Sequence, residues 1–159
     1  MPGQERFARL DDAMLRILSQ APPESGPRRM FQLSTTSSQG RPHVALLGDA
    51  ELHAPDTASV RLLVWSSSST AGNLKARPQV LLTYVDGGSF VAVDLAVETT
   101  RLVNVIDRSL LLVSAVVVGA RRDRVPYAAI TTGPTFTLLD ESVQERWHLS
   151  TGLLRSMEA

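Results

Sequence analysis

The amino-acid sequence predicts a mainly β domain with flanking helices, an antiparallel sandwich or barrel, on three observations. From Met30 onward short β-rich runs recur at 30–37, 42–52, 59–66, 79–86, 89–98, 109–119 and 134–139, divided by turn residues. Two of the divisions, Ser38-Gln39-Gly40 and Asp86-Gly87-Gly88, hold the glycines that supply positive φ in hairpin turns. A chain of 159 residues that is 43% hydrophobic and 20% charged is long enough for one core and too short for several.

Taken in order, the elements begin with Phe7, Leu10, Met14, Ile17 and Leu18, whose spacing is the stripe of an amphipathic helix over about Gln4 to Gln20. Ala21-Pro22-Pro23-Glu24-Ser25-Gly26-Pro27 ends it, because proline cannot extend the hydrogen-bond ladder. Residues 1–27 therefore read as an N-terminal helix and linker, and 28–159 as the main domain. Pro42 belongs at a strand start or on an edge, since it has no N–H to donate. His53-Ala54-Pro55-Asp56 reads as a further turn. The segment 66–78 reads as a hydroxyl-rich loop, one or two helical turns capped by Thr70, and a stop at Pro78. The apolar run Leu110 to Val118 carries four valines and favours strand over buried helix. Val143, Trp147, Leu154 and Met157 lie near helical spacing after Asp140-Glu141-Ser142, whose acids suit a helix N-terminus.

Composition removes several classes of function. Basic and acidic residues balance at 16 each, so no global positive field draws the chain to a phosphate backbone. Without cysteine there are no disulfides, thiolate metal sites or cysteine nucleophiles. The longest apolar stretch, Leu110 to Val118, is about half of the roughly 20 residues that span a bilayer. The charged N-terminus lacks the apolar core of a secretory signal, so a cytoplasmic location is expected. Neither a Walker loop nor a G-x-G-x-x-G fingerprint occurs.

The hydroxyl-rich turn carries the best chemistry. A strand that delivers several Ser and Thr hydroxyls and free backbone N–H groups to a helix N-terminus makes an anion site, and phosphate is the natural guest. The same residues could equally cap the helix and satisfy the loop without a ligand. His43, His53 and His148 are far apart and show no metal-ligand spacing. The serine run lacks a G-x-S-x-G elbow, which leaves a hydrolase reading thin. Arg121-Arg122-Asp123-Arg124 is a solvated turn or an anion clamp. Trp65, beside the serine turn, and Trp147 are rings able to stack on a planar ligand or to serve a core or interface.

Two segments in this order resemble the flavin-binding split barrels related to pyridoxamine 5'-phosphate oxidase, over about Phe31 to Leu139. Gly40-Arg41-Pro42-His43-Val44-Ala45-Leu46-Leu47 resembles that family's hairpin into its second strand. Leu62 to Leu82 resembles its strand, Ser-rich turn with Asn-Leu (here Asn73-Leu74) and following strand. The resemblance implies an antiparallel six-stranded split β-barrel that forms a homodimer, with FMN in a groove between subunits. It implies Ser68 and Thr70 as phosphate ligands, Asn73 supporting the turn, and Val44, Ala45, Trp65, Ser66 and Ser67 near the flavin ring, with Lys75 and Arg77 as supplementary charges. Ser69 and Thr70 stand where many members have Lys or Arg, and neutral hydroxyls hold a dianion less strongly than charged donors. The functional expectation is a flavin-dependent oxidoreductase acting on a small organic substrate. The alternative is a non-catalytic binding or storage module for flavin, deazaflavin or haem, or a cofactor-free relative.

Overall fold

In the computed structural model, which describes residues 3–156, two long strands organise the sheet. They are β7 (Ser89–Val105) and β8 (Arg108–Asp123), a hairpin that turns at Ile106 and Asp107, with Ile106 at φ 57°. Both run past the expected 89–98 and 109–119: the polar-rich segment from Thr99 to Val105 is carried by pairing with β8 alone, and residues 120–123 of β8 are carried between the start of β7 and β1. Register shifts at Asp94/Leu95 and Val97/Thr99 bend the hairpin, as extra residues in a ladder do.

The remaining strands are β1 (Gln4–Phe7), β2 (Arg28–Thr36), β3 (Pro42–Gly48), β4 (Leu52–Asp56), β5 (Ser59–Trp65), β6 (Gln79–Asp86) and β9 (Thr135–Phe136). All pairings are antiparallel, in the order β3-β2-β6-β7-β8-β5-β4, with β1 added to β8 and β9 to β2. The sheet is open, and its strand count exceeds the expected six: β2, β3, β5, β6, β7 and β8 are the long strands, and β1, β4 and β9 are short additions. Both glycine turns form as the sequence implies, with Gly40, Gly87 and Gly88 all at positive φ. Pro42 opens edge strand β3. His53 to Asp56 is strand rather than turn; β4 is the other edge, Pro55 falls in the register irregularity between His53 and Asp56 where no N–H is required, and the chain reverses at Asp56, whose Oδ1 accepts from the Ala58 N–H at 2.8 Å.

The N-terminal segment departs most from expectation. Only α1 (Asp12–Ser19) is helical, because Asp11 caps it by accepting the Met14 N–H at 2.9 Å. Gln4 to Phe7 instead takes the free edge of β8, where Gln4 Nε2 donates to Asp123 Oδ1 at 2.8 Å. Arg122 then binds Asp11 at 2.8 Å and ties the helix cap to β8. Leu10, Met14 and Leu18 enter the main core with Phe31, Leu33, Leu62, Leu82 and Val113.

Strand alternation sorts the apolar residues into two clusters. Val60, Leu62 and Val64 of β5 face the main core together with Leu111, Val113 and Ala115 of β8. Leu63 of β5 and Leu110 and Leu112 of β8 face outward and meet Leu154 of α3 (Ser142–Ser156). Burial on both faces explains why residues 110–113 read as an unbroken apolar run. Met157, the last residue of the expected helical stripe, lies outside the described residues. Two guanidiniums satisfy helix-end carbonyls: Arg61 donates to Leu154 at 2.7 Å, and Arg155 donates to Ser19 of α1 at 2.6 Å.

Arg28, 8% exposed, fastens the tail to the sheet. Its Nε donates to both carboxylate oxygens of Asp49, at 2.9 and 3.0 Å, and its guanidinium lies 5.5 Å from the Phe136 ring and 5.0 Å from Trp147. Phe136 and Trp147 meet edge to face at 5.4 Å. Gly48 lies beneath, where a Cβ would come 2.7 Å from Trp147 Cη2. Beside it, Glu51 accepts from the Gly48 N–H at 2.6 Å. Burial drives its carboxyl up to about 7, against the opposing pull of that N–H and of Arg146.

Three outcomes follow from these contacts. Asp49→Ala, which leaves Arg28 buried and unpaired, lowers stability by about 3–5 kcal/mol and Tm by on the order of 10 °C in thermal unfolding. Gly48→Ala displaces Trp147, read as a red shift and loss of near-UV signal from the tryptophans. The folded Glu51 carboxyl holds its proton above the pH at which the unfolded chain releases it. Its contribution to stability is therefore complete below about pH 4.5 and is lost as pH rises to about 7. Denaturant melts of the wild type should lose about 1–2 kcal/mol across that window, a figure reduced for partial exposure, and Glu51→Gln should flatten the loss.

Candidate functional site

The hydroxyl-rich turn is built where β5 ends against the start of β8. Trp65 pairs with Leu110, and Ser66 then donates both its N–H and its Oγ to the Ser109 carbonyl, at 3.2 and 2.9 Å. Ser68 Oγ donates to the Trp65 carbonyl at 2.7 Å and accepts from the Ala71 N–H at 3.1 Å. Ser68 is therefore the N-cap of α2 (Ser69–Ala76), not Thr70 as the sequence suggests. Its extended backbone, φ −77° and ψ 157°, suits the capping position, whereas Thr70 is already inside the helix and only 4% exposed. Ser68 also takes the Gly72 N–H on its carbonyl, at 3.3 Å. Of the N–H groups that a helix start leaves without intrahelical acceptors, those of Ser69 and Thr70 remain for a guest.

The helix is held from behind. Ala71 and Leu74 join the main core, and the buried Asn73 donates its Nδ2 to Thr35 Oγ1 of β2 at 3.0 Å. Asn73 thus fixes α2 against β2. Lys75 stands exposed in the last turn of α2, on the order of 9 Å along the axis from Ser69. Arg77 spends its guanidinium on the Ser37 and Ser38 carbonyls, at 2.8 and 3.1 Å, where it holds the β2–β3 hairpin. Ser67 and Ser69 are exposed, and Ser66 and Ser68 are half-buried.

One cation that local sequence does not announce reaches this corner. Arg108, the first residue of β8, lays its guanidinium 4.6 Å from the centre of the Trp65 ring. Its Nε is buried without a hydrogen-bond partner, and its ion pair with exposed Asp107 is long, at 3.9 Å. Arg108 is separated from Trp65 by 43 positions, and only the β5–β8 register brings them together. With the guanidinium on the ring, Trp65 keeps 46% of its surface exposed. Val44 and Leu46 of β3 are 56% and 55% exposed, while Ala45, cross-strand from Leu33, points to the opposite face.

The histidines do not converge. His43 is the second residue of β3, opposite Thr35; His53 sits on β4 opposite Arg61, and His148 is exposed on α3. Burial, then Arg155 and Arg61, hold the His53 imidazole below its ordinary pKa. No group of three or more His, Asp or Glu side chains placed to hold a metal ion occurs among the described residues. No helix among them is long and apolar enough to cross a membrane.

No family model and no curated protein matches the sequence. Solved structures match the fold. A split-barrel-domain protein from Shewanella frigidimarina NCIMB 400, provisionally named a flavin reductase, superposes with a TM-score of 0.53 at 9% identity, over 82% of this chain and 87% of that one. An F420 reductase superposes with a TM-score of 0.51 at 14% identity, over 66% of this chain and 94% of that one. A HupZ structure from Group A Streptococcus gives 0.50 at 9% identity, over 80% and 98%. The antiparallel sheet, its order and these superpositions agree: the chain has the split-barrel fold.

Proposed function

We propose that the protein binds FMN at the α2 turn as a cytoplasmic homodimer and acts as a flavin-dependent oxidoreductase on a small organic substrate. The observation that carries this reading is the unfinished start of α2. Two N–H groups, the exposed hydroxyls of Ser67 and Ser69, and the unpartnered Nε of Arg108 lie at one corner of the fold. Split-barrel structures named for flavin or F420 reduction share that fold.

The residues present suit the group. The helix start and hydroxyls of the turn receive the phosphate, with Ser68 shaping the turn through its two hydrogen bonds. Thr70 contributes its backbone N–H, since its side chain is buried. Arg108 supplies the charge that Ser69 and Thr70 do not. Val44 and the backbone at Ala45, with Trp65, Ser66 and Ser67, border the place for the ring. Lys75 acts only through its distant charge. Bound FMN supplies the hydride or electron transfer; the chain's part is to hold and orient it and to exclude water. The exposed Val44 and Leu46 are suited to burial against a second copy, which would close the groove over the ring.

One observation favours the second reading, a non-catalytic store for flavin, deazaflavin or haem: the turn itself is neutral, and Lys75 lies at the wrong end of α2. A store binds its ligand and shows no turnover of reduced cofactor with added acceptors.

Visible spectra taken after adding FMN and removing the excess test the assignment, with riboflavin as the phosphate-free control. The protein should retain FMN and release riboflavin. Arg108→Gln should weaken FMN by about tenfold and leave riboflavin unchanged, as loss of one charged hydrogen bond requires. Equal retention of both flavins, unaltered by Arg108→Gln or Ser68→Ala, would place the site elsewhere. Sedimentation should show a dimer that Leu46→Asp dissociates.

A further inference from the structure

A cavity lies at the end of β8 away from the α2 turn, on the order of 40 Å along the strand from Leu110. Its volume is about 460 Å³, within the range of small-molecule sites. The walls come from β1, the β6–β7 turn, the end of β8 and the loop that follows. Phe90 and Ile130 give it an apolar side; Arg6, Arg121 and Arg124 give it a cationic one, against the single carboxylate of Asp123.

The hydrogen bonds decide what this charge is for. Asp123 is spent within the sheet, accepting from Gln4 Nε2 at 2.8 Å and from Arg121 Nε at 3.1 Å. Arg124 is held by neutral partners: its Nε donates to the buried Ser89 Oγ at 2.9 Å and its Nη2 to the Gly87 carbonyl at 3.1 Å. It has no carboxylate partner among the described residues. Neutral anchoring fixes the guanidinium without cancelling its charge, which prepares it for an anion at little ordering cost. The wall itself is pinned. The Arg124 N–H donates to the Gly3 carbonyl at 2.8 Å, and the Ile130 N–H reaches the Gly88 carbonyl at 3.3 Å. Gly3 admits no side chain, since a Cβ would sit 1.8 Å from the Arg124 carbonyl oxygen.

We propose that this cavity binds a small organic acid, an aromatic or aliphatic body in contact with Phe90 and Ile130 whose carboxylate or phosphate pairs with Arg124. The site is separate from the α2 turn and does not depend on the flavin assignment.

Calorimetric titration of the full chain with 2-naphthoate, octanoate and benzoate tests this, with 2-naphthylmethylamine and inorganic phosphate as controls. At least one acid should bind with one site per chain, and neither control should bind within about tenfold of it. Arg124→Gln should weaken the acid by about tenfold or more. Because that change also frees Ser89, two surface variants accompany it. Arg6→Gln should weaken binding, and Ile130→Asp should abolish it. Ser68→Ala should leave binding unchanged, which separates this site from the flavin turn. The proposal is overturned if no acid binds below 1 mM, on the order of the weakest specific affinities, if the amine binds as well as the acids, if the arginine variants bind like wild type, or if FMN displaces the acid.

Discussion

The buried pairing of Arg28 with Asp49 is the constraint on which the arrangement of the tail depends. A guanidinium removed from water must have both its charge and its donors answered, and Asp49 answers them through two oxygens. The flat faces of that cation are then available to aromatic rings, and Phe136 and Trp147 take them. One ion pair thereby sets where β9 lies on β2 and where α3 crosses the outer surface of β5 and β8. The cost of burying the pair is offset by what it organises, since α3 brings Leu154 onto Leu63, Leu110 and Leu112.

The α2 corner depends on the same scaffold through β5. With Arg61 and Leu63 committed to α3, Trp65, next but one on that face, must also point outward, and there it meets Arg108. On the inner face Val64 anchors the strand in the core, so the polypeptide leaves the sheet at Ser66 in a fixed direction. The start of α2 is thus positioned from two sides, by the Ser109 carbonyl in front and by Asn73 on Thr35 behind. Rigid support of this kind is what a binding turn needs if its N–H groups are to be ready before a ligand arrives.

Much of this was legible in sequence where the cause is local. The hairpins at Gly40 and Gly87-Gly88, the β-rich run at 59–66 and the hydroxyl turn all follow from spacing and backbone chemistry. What was not legible depends on partners distant in the chain. Gln4 to Phe7 reads as the first turn of a helix, and only the open edge of β8 makes it strand. Glu98 to Val105 carries too much polar surface to look like sheet, because past Ala96 the strand no longer pairs with β6 and is held by β8 on one side only. The cap moved from Thr70 to Ser68 because the Trp65 carbonyl offered Ser68 a second bond. Arg108 had no local signal at all; its place beside Trp65 is a product of register.

The outer cluster of Leu63, Leu110 and Leu112 has a consequence for biosynthesis. These side chains lie on strands complete by residue 123, whereas the leucine that covers them, Leu154, belongs to α3. During translation the sheet can therefore form while its outer face is still bare. For the time the ribosome needs to extrude some thirty further residues, on the order of seconds at ordinary elongation rates, the nascent chain presents an apolar strip beside a sheet edge. Chaperone engagement and premature pairing with a neighbouring chain would compete within that interval, and docking of α3 ends it.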